Sequence, residues 1–329
     1  MEPEHYRKKI IGAITKVSKN RDNHSKVCLI PYCTNKAINS HSQQKGGPLA
    51  SIAENGQVYA TSRNTLKNLL RKNDRYNLQP IAKVTRFRGF CVEHDTSLFN
   101  EIENFPIDPH SRKHQFLLFL RSFCFEYATK RDSYELFKDF YVQAKPFLPT
   151  ESKQSLEQIL EGRRQFLDID GPFYESKIFS SLATEDWECI ETRNFSFPHN
   201  IGLSCAGTMA LNEELVREHL IENPEKPFPF VAFTIFPNAN GTDVFYSILS
   251  EFMSEASSFF LELAKCNISQ RVNFDALARS EDTCMRPSLW EGIGKEAQSD
   301  VLRFMTADWS ENTRGVLPQL IQMQDSTKN

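Results

Sequence analysis

The sequence predicts an α+β fold, on three observations. The first hundred of its 329 residues are turn-punctuated and carry closely spaced Cys and His. Residues 112–145 and 151–168 repeat apolar side chains at helical spacing, and much of 172–250 reads as apolar runs of strand length. The chain therefore divides into a Cys/His module (1–105), a helical region (106–170) and a mixed α/β domain of unassigned role (171–329). At roughly 150 residues per domain, the length suits about two.

Residues 6–20 alternate Lys/Arg with Ile and Val and read as a short helix or strand. Gly46-Gly47-Pro48 marks a turn, and residues 49–55 give one or two helical turns closed by Gly56 at a C′ position. Residues 58–61 are a strand candidate. The basic segment Arg63 to Arg75 is helix-like, with Leu66, Leu69 and Leu70 on one side. Residues 81–90 alternate as a strand, and 96–103 read as a helix. Pro146 and Pro149 separate the two long helical runs. The strand candidates that follow are FYESKIFSS, WECIETRNFSF, LSCAGTMAL, PFVAFTIFP and TDVFYSILS, with a helix at 212–222 and an Asn240-Gly241 hairpin signal. Helices at 250–265 and 286–306 precede a polar tail.

Composition bounds the function. Forty per cent hydrophobic and 25% charged residues exclude wholesale disorder. The longest strongly apolar stretch, Phe228 to Phe236, is about half the roughly 20 residues of a membrane helix, so no membrane partner is expected. The first ten residues carry no apolar signal-peptide region. Eight cysteines are too sparse for a disulfide scaffold, and the expected location is cytoplasmic with reduced thiols. Twenty-six Phe suit a large aromatic core. Charge is unevenly spread: residues 1–100 hold 17 basic and 7 acidic side chains, and residues 101–329 hold 22 and 35. A basic module on an acidic body points to phosphate contact at its N-terminal end.

The chemistry-bearing motifs lie in that basic module. Cys28-x4-Cys33 sits on a Pro-containing turn, and Cys91-x2-His94 sits where a strand candidate gives way to a helix. Zinc takes four thiolate or imidazole ligands at tetrahedral corners, commonly as two close pairs from two segments. A helix N-terminus favours thiolate over thiol. Knuckle, hairpin region and a helix bearing the last two ligands make a treble-clef arrangement, so structural Zn²⁺ on Cys28, Cys33, Cys91 and His94 is expected. The alternative is a set of free buried cysteines, with the His paired for unrelated reasons.

Between the pairs, Ala37-Ile38-Asn39-Ser40-His41 is followed by Gly46-Gly47. Here the sequence resembles the HNH (ββα-metal) group, and also a set of uncharacterised bacterial proteins carrying C-x4-C, SH and C-x2-HD in this order. The resemblance covers about Cys28 to Glu103. It implies that His41 is a general base that activates water for attack on a phosphodiester. It also implies that Asp95 ligates a catalytic Mg²⁺ or Mn²⁺, in the place of the family's metal-binding histidine. The family's middle Asn has no clear counterpart, since neither Asn55 nor Asn64 is well spaced.

Two functions are carried forward. One is a zinc-containing protein acting on nucleic acid, DNA ahead of RNA: an HNH-like metal-dependent endonuclease of anti-phage defence or a mobile element. Its nucleic-acid-binding residues would be Arg63, Lys67, Arg71, Lys72 and Arg75. The other is a non-enzymatic zinc protein that binds nucleic acid or a protein partner, with a C-terminal domain for sensing or for homo-oligomerisation through its acidic surface. Phosphate-binding loops, dinucleotide fingerprints and nucleophile elbows are absent from the sequence. His110 and His114 read as surface groups, while His199 and the Asp186/Glu188 pair stay unassigned.

Overall fold

The computed structural model describes residues 3–21, 26–61, 76–211, 219, 222–280 and 282–304. The segment 62–75 and most of 212–222 lie outside the described residues, and with them the expected basic helix and the 212–222 helix.

The architecture is α+β. An antiparallel seven-stranded sheet is built from β2 (Gln57–Thr61), β3 (Tyr76–Pro80), β5 (Ile190–Phe197), β6 (Leu203–Ala210), β7 (Phe230–Pro237), β8 (Thr242–Leu249) and β9 (Cys284–Met285). Its order is β3-β2-β9-β6-β7-β8-β5. A separate two-stranded ladder pairs β1 (Ser40–His41) with β4 (Arg86–Phe87). The two-residue strand β9 joins the N-terminal hairpin to the C-terminal strands: Tyr59 and Ala60 pair with Met285 and Cys284, which pair in turn with Leu203 and Ser204. One sheet thus carries strands from both ends of the chain.

Every residue of β7 is buried, as the run PFVAFTIFP leads one to expect of a central strand. The Asn240-Gly241 signal holds. Asn238 N donates to the Gly241 carbonyl at 2.9 Å, closing the β7–β8 loop. A Cβ at Gly241 would lie 2.5 Å from the Phe197 carbonyl oxygen of the neighbouring edge strand. Gly241→Ala should therefore cost about 1–3 kcal/mol, read as a lower midpoint in urea unfolding; an unchanged midpoint would contradict the close approach.

The helices, in chain order, are α1 (Pro3–Arg21), α2 (Val92–Asn104), α3 (Arg112–Ala144), α4 (Thr150–Gln165), α5 (Gly171–Thr184), α6 (Met253–Lys265), α7 (Ile268–Phe274), α8 (Pro287–Gly292) and α9 (Gly294–Phe304). Ser111 caps α3, its hydroxyl accepting from His114 N. Residues 114–125 of α3 are buried on all sides, because this half lies between the sheet and α2. Phe119 and Phe123 stack on Phe230 of β7. The second half of α3 is amphipathic: Leu136, Phe137 and Phe140 meet Ile14 and Val17 of α1 and Leu156 of α4.

Several sequence expectations need correction. FYESKIFSS is not a strand but lies in α5, where Pro172 opens the helix and Tyr174, Ile178 and Ser181 form one buried stripe at i, i+4, i+7. Residues 81–90 are not a continuous strand. The strand lies earlier, at 76–80, and Thr85 at φ 56° breaks the extended run, leaving only Arg86–Phe87 paired. Gly56 does not close a helix: Asn55 (φ 52°) and Gly56 (φ 71°) form a two-residue hairpin turn between Glu54 and Gln57. The helix expected over 286–306 is two helices, parted at Gly294 (φ 77°).

Candidate metal centre

The first ligand pair is set by a small hairpin. Val27 bridges Lys36, Cys28 N donates to the Asn35 carbonyl at 3.0 Å, and Cys33 N donates to the Ile30 carbonyl at 3.1 Å. These bonds turn the thiols of Cys28 and Cys33 the same way. The second pair begins α2: Cys91 is its N-cap residue, and His94 lies in its first turn. Two backbone bonds stitch the segments together, Leu29 N to the Gly89 carbonyl and Ile38 N to the Phe90 carbonyl, both at 2.7 Å. Gly89 has a specific reason to lack a side chain, because a Cβ there would meet the Phe87 ring at 2.3 Å.

The four ligand atoms consequently lie within 4.8 Å of one another, in a Cys3His group that could hold a metal ion. His94 Nδ1 is 3.4 Å from Cys28 Sγ and 3.3 Å from Cys91 Sγ, and Cys33 Sγ is 3.9 Å from Cys91 Sγ. A tetrahedron with metal–sulfur bonds of about 2.3 Å has edges of about 3.8 Å, so these separations suit ligands around one ion. They are far too long for a disulfide, and all eight cysteines are free. Cys28 and Cys91 are buried, and Cys33 and His94 are half-buried.

The site's electrostatics differ between its two halves. The backbone N–H of His94, in the first turn of α2, draws the Cys91 thiol down to about 7. Burial pushes the Cys28 thiol up to about 11. Cys91 is thus the more readily ionised of the two thiols, whereas burial holds Cys28 protonated unless a cation lies beside it. Because protons compete with metal for every thiol, metal affinity should fall as pH is lowered.

The two residues assigned catalytic roles by resemblance lie close by, on neighbouring elements. His41 is on β1, opposite Arg86, with Nδ1 3.1 Å from Thr85 Oγ1. Asp95 is the residue after His94, and its carboxyl faces the Ser40 hydroxyl, Arg121 and Glu103. Burial raises its pKa, while Ser40 and Arg121 act against that rise. Ser40 and His41 are consecutive in a strand, so their side chains project to opposite faces. Ser40 is the one turned toward Asp95. Arg63, Lys67, Arg71, Lys72 and Arg75 all lie outside the described residues.

Sequence reasoning missed a polar latch beside the site. Ser42 Oγ donates to the Asp282 carboxylate, and Gln43 Nε2 donates to the Asp282 carbonyl at 2.5 Å. Ser204 Oγ donates to Gln43 Oε1. All four residues are buried. The latch fixes the segment that follows His41 onto the C-terminal sheet. Arg121 is buried next to it, donating to Glu103 and stacked on Phe99 at 4.0 Å from the ring centroid. His114, read as a surface group, is buried, with Nε2 3.2 Å from Glu101 Oε1. Among the described residues no helix is long and apolar enough to cross a membrane. No family model, curated protein or solved structure matches this chain.

Proposed function

We propose that Cys28, Cys33, Cys91 and His94 hold one structural zinc ion, and that the basic N-terminal segment it organises binds nucleic acid without cutting it. The closed donor set carries the structural-zinc reading, and the turn of Ser40 rather than His41 toward Asp95 supports the absence of cutting. Three thiols and one imidazole supply all four tetrahedral positions from protein, whereas catalytic zinc keeps a position for water. The excess of 17 basic over 7 acidic side chains in residues 1–100 supports a polyanionic partner. DNA is the partner of first choice.

The test is a salt titration of affinity for a DNA duplex, read by fluorescence anisotropy. Neutralising Arg71, Lys72 and Arg75 together should weaken binding and lower the log–log salt slope by roughly 2 to 3, about 0.9 for each phosphate left unneutralised. An unchanged slope would place the phosphate-binding residues elsewhere. A second reading, an HNH-like nuclease with His41 as base and Asp95 on Mg²⁺ or Mn²⁺, draws support from the Thr85 hydroxyl beside His41 Nδ1, a contact suited to orienting the ring. Metal-dependent cleavage of plasmid DNA that is abolished in His41→Ala, with zinc retained, would decide for it.

A further inference from the structure

The tip of the Cys28–Cys33 hairpin has an unusual residue in an unusual conformation. Tyr32 has φ 66°, in the left-handed region that glycine enters freely and a bulky side chain enters at a steric cost. Its side chain is fully exposed, so packing within the fold does not offset that cost. Exposed apolar side chains also flank two other ligands: Val27 (53% exposed) precedes Cys28, and Val92 (63% exposed) follows Cys91. Tyr32 itself precedes Cys33. With the ligand atoms within 4.8 Å of one another, the backbones of Val27, Tyr32 and Val92 are anchored to one centre, and these three exposed side chains are its apolar rim. A tyrosine side chain has only two rotatable bonds, and its backbone is anchored through Cys33, so it loses little conformational freedom when a partner covers it.

Charge selects the partner. Residues 23–53 include Lys26, Lys36 and Lys45 and no Asp or Glu. Lys36 is exposed and lies across the hairpin from Val27, while Lys26 is paired with Asp132 at 3.6 Å. Glu93, beside Val92, would repel a phosphate, which leaves the Lys36 side of the rim for a phosphate backbone. An exposed aromatic at the tip of a carboxylate-free hairpin that also carries an exposed lysine is a combination suited to an unpaired base and its backbone.

We propose that Tyr32 is a stacking platform for an unpaired base, so that this module binds single-stranded nucleic acid in preference to duplex, with Lys36 on its backbone. This rests on the nucleic-acid reading above and specifies its substrate class. Glycine suits the left-handed backbone but offers no ring to stack on, which makes Tyr32→Gly a separating variant. It should keep metal content and thermal midpoint, the latter unchanged or raised, and still bind more weakly.

The experiment measures binding of full-length wild type, Tyr32→Gly and Tyr32→Trp to a labelled oligothymidylate and to a duplex of the same length. The expected result is that Tyr32→Gly binds the single strand about tenfold or more weakly, Tyr32→Trp binds it at least as well as wild type, and duplex binding is unaffected in both. Equal single-strand affinity for wild type and Tyr32→Gly, at equal metal content, would overturn the stacking role and mark the rim as a protein-docking surface. Wild type that binds neither oligonucleotide would overturn the nucleic-acid reading itself, and this proposal with it.

Discussion

Stripping the metal should unfold the N-terminal module while the C-terminal strands stay folded. The segment from 28 to 103 has little apolar core of its own: the cluster around Leu49, Ile52, Val58, Ala60 and Val84 is small and borrows Cys284 from β9, and Phe87, Phe90, Phe99 and Ile102 pack into the core shared with α3 and the C-terminal strands. Zinc binding to a Cys3His set contributes on the order of 10 kcal/mol, which in so small a module is folding free energy. Chelation should therefore bring amide exchange at Leu29, Cys33 and Ile38, whose N–H groups bond across the hairpin and the stitched segments, close to the unfolded rate. Amides of β7 and β8, buried at the centre of the sheet, should stay protected. Protection at Leu29 and Ile38 that survives complete metal removal would show that the module folds on packing alone.

Asp275→Ala should be the most damaging single substitution away from the metal centre. Asp275 is fully buried. Arg271 Nε donates to its Oδ2 at 2.7 Å, the Tyr246 hydroxyl donates to the same oxygen at 3.1 Å, and Arg279 Nη1 donates to Oδ1 at 3.4 Å. Removing the carboxylate leaves two largely buried guanidinium groups without their shared counter-charge, a loss of about 3–5 kcal/mol. Asp275→Asn keeps an acceptor of the same shape and should lie between the two. Urea unfolding measures both. A loss under about 1 kcal/mol for the alanine variant would mean that water or Glu262, 3.0 Å from Arg271 Nη1, takes over the charge.

Legibility in the sequence depends on how local each signal is. The four ligands can be read because metal chemistry demands particular residue types at short spacing, and the fold brings those four together. Strands β5 to β8 are legible from apolar runs of the right length, and α3 from its periodicity. The segment that forms α5 misleads because it is short and rich in aromatic and β-branched residues, but its apolar pairs 173/174 and 178/179 keep helical spacing, and Pro172 as a helix opener agrees with them. Asn55-Gly56 carries the same dipeptide signal as Asn240-Gly241, but it stands beside a short helical pattern for which Gly56 is an equally good stop. The Ser42–Gln43–Asp282–Ser204 latch joins polar residues as much as 240 positions apart and has no periodic signature. The same holds for β9, a two-residue strand whose pairing only the assembled sheet supplies. In each case the missing information is tertiary.

Zinc at this site would underlie both the folding of the N-terminal segment and its proposed role, and the native mass of the purified chain reports on it without an intermediate step. One zinc ion per chain is expected, displaced by a chelator and absent from Cys33→Ala. Cobalt substitution should give the intense visible absorption of a tetrahedral thiolate site, fading as the pH is lowered. A chain that carries no metal when purified without chelator, takes up neither zinc nor cobalt, and still holds its cysteines reduced would contradict the zinc assignment.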